Sequence, residues 1–103
     1  MAALLSLSIL LSATSHPLIV RGTATWYAAA GPGHAAAGPS LRRALGKHWR
    51  GQAVRVCRHW YCVRVKLTDW CKCGHGRVID LSNEDFAKFR PLWYGVMQVN
   101  IRG

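Results

Sequence analysis

Acidic side chains are the scarcest chemistry in this chain: four aspartates and glutamates among 103 residues, against 14 lysines and arginines, for a formal net charge of +10. Such a balance suits an anionic partner (cell-wall polymer, nucleic acid or membrane surface) without choosing among them. The arginines are scattered and no run of five or six basic residues occurs, which argues against a dedicated nucleic-acid tail, so no specific nucleic-acid partner is expected. Long apolar runs are missing too. Ala2–Leu11 is interrupted by serines, and His16-Pro17 closes it before the ~18 residues of a membrane helix accumulate, so no stable membrane span is expected. The five histidines show no metal spacing, so neither a metal nor a cofactor is expected. The length allows one domain at most, here expected as a monomer.

Cysteine is present in a number that matters. Four in so short a chain point to two disulfides and to an oxidising compartment, secreted or cell-wall-associated. Three connectivities are possible. A hairpin joining Val54-Arg55-Val56 to Val63-Arg64-Val65 would set Cys57 opposite Cys62, which favours that pair and leaves Cys71 with Cys73. Cross-pairing of the two sets is the alternative. Four thiolates on zinc are a third option, but the C-x4-C and C-x-C spacings do not match the usual zinc patterns.

The N-terminal 21 residues read as a signal peptide or apolar segment, with small residues at Ala13-Thr14-Ser15 where a signal peptidase would cut, although no lysine or arginine precedes the apolar run. Residues 22–103 then form the domain. Arg21–Tyr27 reads as its first strand. The stretch Ala28–Ser40, with an AAAGPGH/AAAGPS duplication and two Gly-Pro pairs, reads as a loop. Leu41–His48 is basic and suits a short helical turn. The hairpin follows, and Val63–Leu67 alternates apolar with basic residues as a half-buried strand does. Thr68-Asp69-Trp70 ends it, and the tight loop Cys71–Gly76 leads to a second short strand at Arg77-Val78-Ile79. Ser82 caps a short helix, with Asp85 three residues on as in a capping box and Glu84 beside it in the first turn, so both acids are assigned to structure. Pro91 stops that helix, and Val96–Arg102 alternates as a closing strand.

Short strands with one short helix describe a mainly β protein, a small closed barrel. Asp69 and Asp80 stand at the ends of β segments where loops begin, a usual place for fixed catalytic groups; the competing account is that both merely support turns. Trp26, Tyr27 and Trp70 lie near them in sequence and are candidate sugar-stacking platforms, whereas Trp49, Trp60 and Trp93 suit core or surface loops equally well.

These residues resemble the RlpA-like double-psi β-barrel, a six-stranded relative of the barwin domain and of the first expansin domain. The resemblance rests on Gly22–Tyr27, Val54–Cys57, Val63–Asp69, Arg77–Ser82 with its following helix, and Gly95–Ile101, covering nearly all of Gly22–Gly103. It implies work on peptidoglycan or another cell-wall polysaccharide: lytic transglycosylation, non-hydrolytic loosening, or hydrolysis of β-1,4-glucans. Asp69 matches the aspartate that lytic members use in catalysis, and Asp80 the acid of expansin-like and endoglucanase-like members. On this basis Asp69 takes the main acid/base role and Asp80 assists. Two departures bear on activity. Lytic members carry Ala-Ala-His where this chain has Ala36-Ala37-Gly38, so the histidine must be absent or replaced by His34 or His48. Endoglucanase-like members carry a base aspartate where Ala28 stands, which argues against hydrolysis. Three functions compete: a peptidoglycan lytic transglycosylase, a non-catalytic expansin-like binding module, and a barwin-like basic defence protein.

Overall fold

The computed structural model of the chain describes residues 16–29 and 31–103. The apolar segment expected as a signal peptide falls mostly outside the described residues. Six strands, β1 (Leu18–Tyr27), β2 (His34–Ala37), β3 (Ala53–Arg58), β4 (Tyr61–Trp70), β5 (Arg77–Ser82) and β6 (Met97–Arg102), close into one barrel in the order β1-β5-β2-β4-β3-β6. Two short helices, α1 (Pro39–Leu45) and α2 (Asn83–Ala87), and a 3-10 turn at Leu92–Tyr94 fill the connections. Among the described residues no helix is long and apolar enough to cross a membrane.

The alternation in the strands carries the barrel. Val54, Val56, Val65, Leu67, Ile79, Leu81, Val99 and Ile101 point inward and are buried, with Phe86 of α2 and Leu41 of α1 packed among them. Each such side chain contributes about 1.5–3 kcal/mol by leaving water. β1 is shared between two neighbours. It runs antiparallel to β6 from Leu18 to Ala24 and parallel to β5 from Thr23 to Tyr27. It also starts three residues before the expected Arg21, because Ile19 and Val20 pack on the core and Pro17 O accepts the Gly103 N–H at 2.9 Å.

β2 is the element that the Gly-Pro pairs conceal. The stretch expected as a loop contains four strand residues, His34–Ala37, between the turn at Gly31-Pro32-Gly33 and Gly38-Pro39. Alanine is a poor strand former in isolation, but β2 is paired on both sides, parallel to β4 and antiparallel to β5. Only small side chains fit there: Ala35, Ala36 and Ala37 are all buried. The basic helix begins two residues earlier than expected, at Pro39, where a proline in the first turn loses no helical hydrogen bond.

Half of the expected capping box forms. Ser82 Oγ accepts the Asp85 N–H at 3.1 Å. The Asp85 side chain, fully buried, does not return to the cap. Its Oδ2 accepts the Gly33 N–H at 2.6 Å, and its Oδ1 accepts from Lys88 Nζ at 2.9 Å. The carboxylate thus ties the turn before β2 to α2. Asp85→Ala strands the Gly33 N–H and removes a charged acceptor, so a loss of about 2–3 kcal/mol is expected, measured as the shift in a urea midpoint. An unchanged midpoint would contradict this account.

Candidate functional site

Two bulges put the two aspartates on one face. Along β4, period-2 alternation would place Asp69 in phase with the inward-facing Val65 and Leu67. The register shifts instead: Ala35 pairs Leu67 but Ala36 pairs Asp69, leaving Thr68 as an extra residue. β5 shifts likewise, since Thr23 pairs Arg77 and Ala24 pairs Ile79, leaving Val78 over. A bulge of this kind re-aims the side chain that follows it. Ala36 then sits in register with Asp69 on one side and Asp80 on the other, and Asp80 is in register with Thr25. Asp69, Ala36, Asp80 and Thr25 form a row across four adjacent strands, with the two aspartate Cα atoms about 9–10 Å apart, twice the interstrand spacing.

The aspartates differ in setting. Asp69 is exposed, and its Oδ1 accepts the Trp70 N–H at 2.8 Å. Asp80 is half-buried and accepts the Thr25 hydroxyl at 3.0 Å. Burial pushes the Asp80 pKa above the ordinary aspartate value and the Asp69 charge adds to the rise, while the Thr25 hydrogen bond and Arg77 pull the other way. Tyr27 is raised as well, by burial first and then by the Asp69 and Asp80 charges, so its phenol stays a neutral donor. Ile79, next to Asp80 in the chain, is a core residue.

A groove of about 550 Å³ opens at this face, lined by Tyr27, Ala28, Ala29, His34, Thr68 and Asp69. His34, one of the two candidates to stand in for the missing histidine, is on its wall. The other, His48, lies in the turn after α1 and contributes its carbonyl to Gln52. Trp70 is 47% exposed beside Asp69, with the Arg42 guanidinium 5.6 Å from its ring centre. Arg42 is itself fixed, donating to Ala37 O at 2.6 Å and Cys71 O at 3.1 Å. Trp70 is therefore a supported shelf that leaves surface for a sugar ring. Trp26 differs: it packs against the core and donates its indole N–H to Leu92 O at 2.9 Å, which anchors the 3-10 turn. Trp49 is half-buried, and Trp60 and Trp93 are exposed.

Cys57–Cys62 closes the β3–β4 hairpin and Cys71–Cys73 the loop after β4, the favoured connectivity. With all four thiols so used, cross-pairing and the zinc option are both set aside, and no cluster of metal-binding side chains occurs among the described residues. Thr25, Ala36 and Arg42 escaped the sequence reading. Only their register with Asp80, or their contacts with Trp70, reveals their part.

The sequence matches no protein-family model and no curated protein. Solved structures do match. A papain inhibitor from Streptomyces is 24% identical over 85% of this chain and 97% of its own, with a TM-score of 0.61. An expansin mutant from Clavibacter michiganensis, in complex with cellohexaose, is 21% identical with a TM-score of 0.63, and the same expansin in its apo form is 22% identical with the same score. Each expansin comparison covers 79% of this chain and 48% of the expansin, so the chain spans about half the expansin's length. With this closed six-strand barrel and these neighbours, the chain has the double-psi β-barrel fold that its sequence resembles.

Proposed function

We propose that this groove takes a cell-wall polysaccharide and that Asp80 is the acid of a lytic, non-hydrolytic cleavage, with Asp69 assisting. The observation that carries this reading is the half-buried Asp80, raised in pKa and set on the same face as an exposed second carboxylate. The roles are thereby exchanged relative to the sequence expectation, because a general acid needs a raised pKa and burial raises that of Asp80, whereas Asp69 is exposed. The Asp80 carboxylic acid would protonate the glycosidic oxygen as the C1–O bond breaks and its electron pair leaves with that oxygen. The substrate's own C6 hydroxyl then bonds to C1, closing a 1,6-anhydro ring, and its proton returns to a carboxylate. No water is consumed, so the position filled by Ala28 needs no base. Tyr27 and Trp70 would seat the sugar rings. The two disulfides support an extracytoplasmic place of work.

A digest of purified peptidoglycan, with products read by mass spectrometry, tests this. Anhydro-muropeptides are expected from the oxidised domain. A second reading, an expansin-like module that grips glycan without cutting it, is favoured by the open groove and by Gly38 in the histidine's place. Tight pelleting onto wall material without products would establish it. Inhibition of papain with neither products nor pelleting would overturn both in favour of an inhibitor like the Streptomyces protein.

A further inference from the structure

The other end of β4 carries a second concentration of chemistry, about 26 Å from the groove at the rise of a strand. The β3–β4 hairpin turns there through His59 and Trp60, between the register pair Arg58 and Tyr61. The turn is held rigidly. Cys57 and Cys62 are paired in register and joined by a disulfide, and His59 adopts a left-handed φ of 56°, which a non-glycine residue keeps only when its surroundings impose it. At the tip Trp60 is 89% exposed. Tyr61 stands edge-on to both Trp60 and Phe89, with centroids at 6.1 and 5.4 Å. A large aromatic displayed on a disulfide-closed turn adds nothing to the core, and a preorganised aromatic is the usual anchor of a binding site.

Two shallow troughs, each of about 350 Å³, flank this hairpin and share Arg58 and His59. One is aromatic, walled by Trp60, Tyr61 and Phe89. The other is polar, walled by Arg21, Gln98 and Asn100. No carboxylate lines either trough. Lys88 borders the aromatic one, but its ammonium is paired with Asp85 at 2.9 Å, and Glu84 lies one turn away on the same helix. Arg58 and Arg21 therefore supply the cationic character. Arg58 donates to Gln98 O at 3.4 Å, a long contact that leaves most of its fork free.

We infer that the hairpin tip is a second glycan site, distinct from the groove, that takes a carboxylate-bearing polysaccharide. A sugar face stacks on Trp60 and Tyr61, its carboxylate meets Arg58 and Arg21, and Gln98 and Asn100 meet hydroxyls. This rests on the reading of the protein as a wall-polysaccharide protein. Charge supports the division between the sites: the Asp69 carboxylate lines the groove, whereas the troughs at the tip offer cations without acids. A tip made to enter a membrane would instead be convex and apolar, and these are concave surfaces with two amides in one wall.

The test is a calorimetric titration of the intact oxidised domain with oligogalacturonate, its methyl ester and neutral cellohexaose. Oligogalacturonate is expected to bind at least tenfold more tightly than the ester, and the difference is expected to shrink with added salt. Arg58→Gln and Trp60→Ala are each expected to weaken oligogalacturonate binding tenfold or more, while leaving anhydro-muropeptide release and the thermal midpoint unchanged, since neither touches the groove. Equal affinity for acid and ester, or unchanged affinity in both variants, would overturn the inference. So would Trp60-dependent binding to phosphatidylglycerol vesicles without binding to oligogalacturonate. The two proposals fail separately: a groove without products leaves Arg58-dependent binding intact, and a silent tip leaves the digest intact.

Discussion

Asp80→Asn is expected to abolish anhydro-muropeptide release, lowering the rate at least about 100-fold, the usual scale for loss of a general acid, while leaving the fold intact or slightly firmer. The two effects have one cause. Burial makes the charged form of Asp80 unfavourable, so the native state binds that proton more tightly than the unfolded chain does. Where the native state holds more protons, stability falls as pH rises; for this group the loss begins near the ordinary aspartate pKa of about 3.9 and is complete above the raised one. Asparagine carries no charge and still accepts from Thr25, so the variant escapes that cost at neutral pH. The gain is small, because Asp80 is only half-buried and solvent screens the rest.

The same sign governs activity. An acid works in its protonated form, so the rate should fall as pH rises through the raised pKa of Asp80. Asp69→Asn removes the charge that helps to raise it and should move that limb to lower pH. A pH–rate profile of wild type and Asp69→Asn, with thermal melts of Asp80→Asn at neutral pH, checks all three statements. An Asp80→Asn protein with full product yield would remove Asp80 from the chemistry. A limb that stays in place in Asp69→Asn would show that the carboxylates do not sense each other.

How visible this site is in the sequence depends on the residue. Asp69 and Asp80 stand out because acids are so scarce and because both follow short apolar alternations. That they share a face is not readable, since strict alternation turns Asp69 inward with Val65 and Leu67, and the extra residues Thr68 and Val78 show only in the pairing. β2 is hidden for a related reason. Its alanines carry no strand propensity, and what makes them a strand is the presence of β4 and β5 on either side, partners 32 to 46 residues later in the chain. The disulfide in the hairpin was legible because the hairpin was: two alternating runs flanking a short turn fix which cysteines oppose each other. Trp26 shows the limit of composition. An aromatic at the end of a strand suits a groove or a core equally, and only the hydrogen bond to Leu92 O assigns it to the fold.

Restoring the lytic histidine by Gly38→His is expected to damage the protein rather than activate it. The backbone at Gly38 is extended (φ −75°, ψ 169°), a conformation any residue adopts, so the obstacle is space. A Cβ added there would lie 2.9 Å from both Arg77 O and Val78 O, backbone atoms of the β5 bulge that cannot swing aside as a side-chain end would. Gly38 also donates its N–H to Val78 O at 2.9 Å, and its carbonyl accepts the Arg42 N–H at 3.0 Å, the first hydrogen bond of α1. Overpacking costs about 1–3 kcal/mol and loss of the Val78 bond about 1 more, so a loss of about 2–4 kcal/mol is expected, or roughly 10–25 °C in thermal midpoint. Gly38→Ala should lower the midpoint as well, by less, because the clash begins at Cβ. No gain in anhydro products should accompany either change, since the strand that would have to move is the one that carries Asp80. A Gly38→His protein with an unchanged midpoint and a higher product yield would mean that the bulge can yield and that the missing histidine alone limits activity. The expected result means instead that the barrel has closed around the glycine, with the only groove histidine among the described residues at His34, at the start of β2.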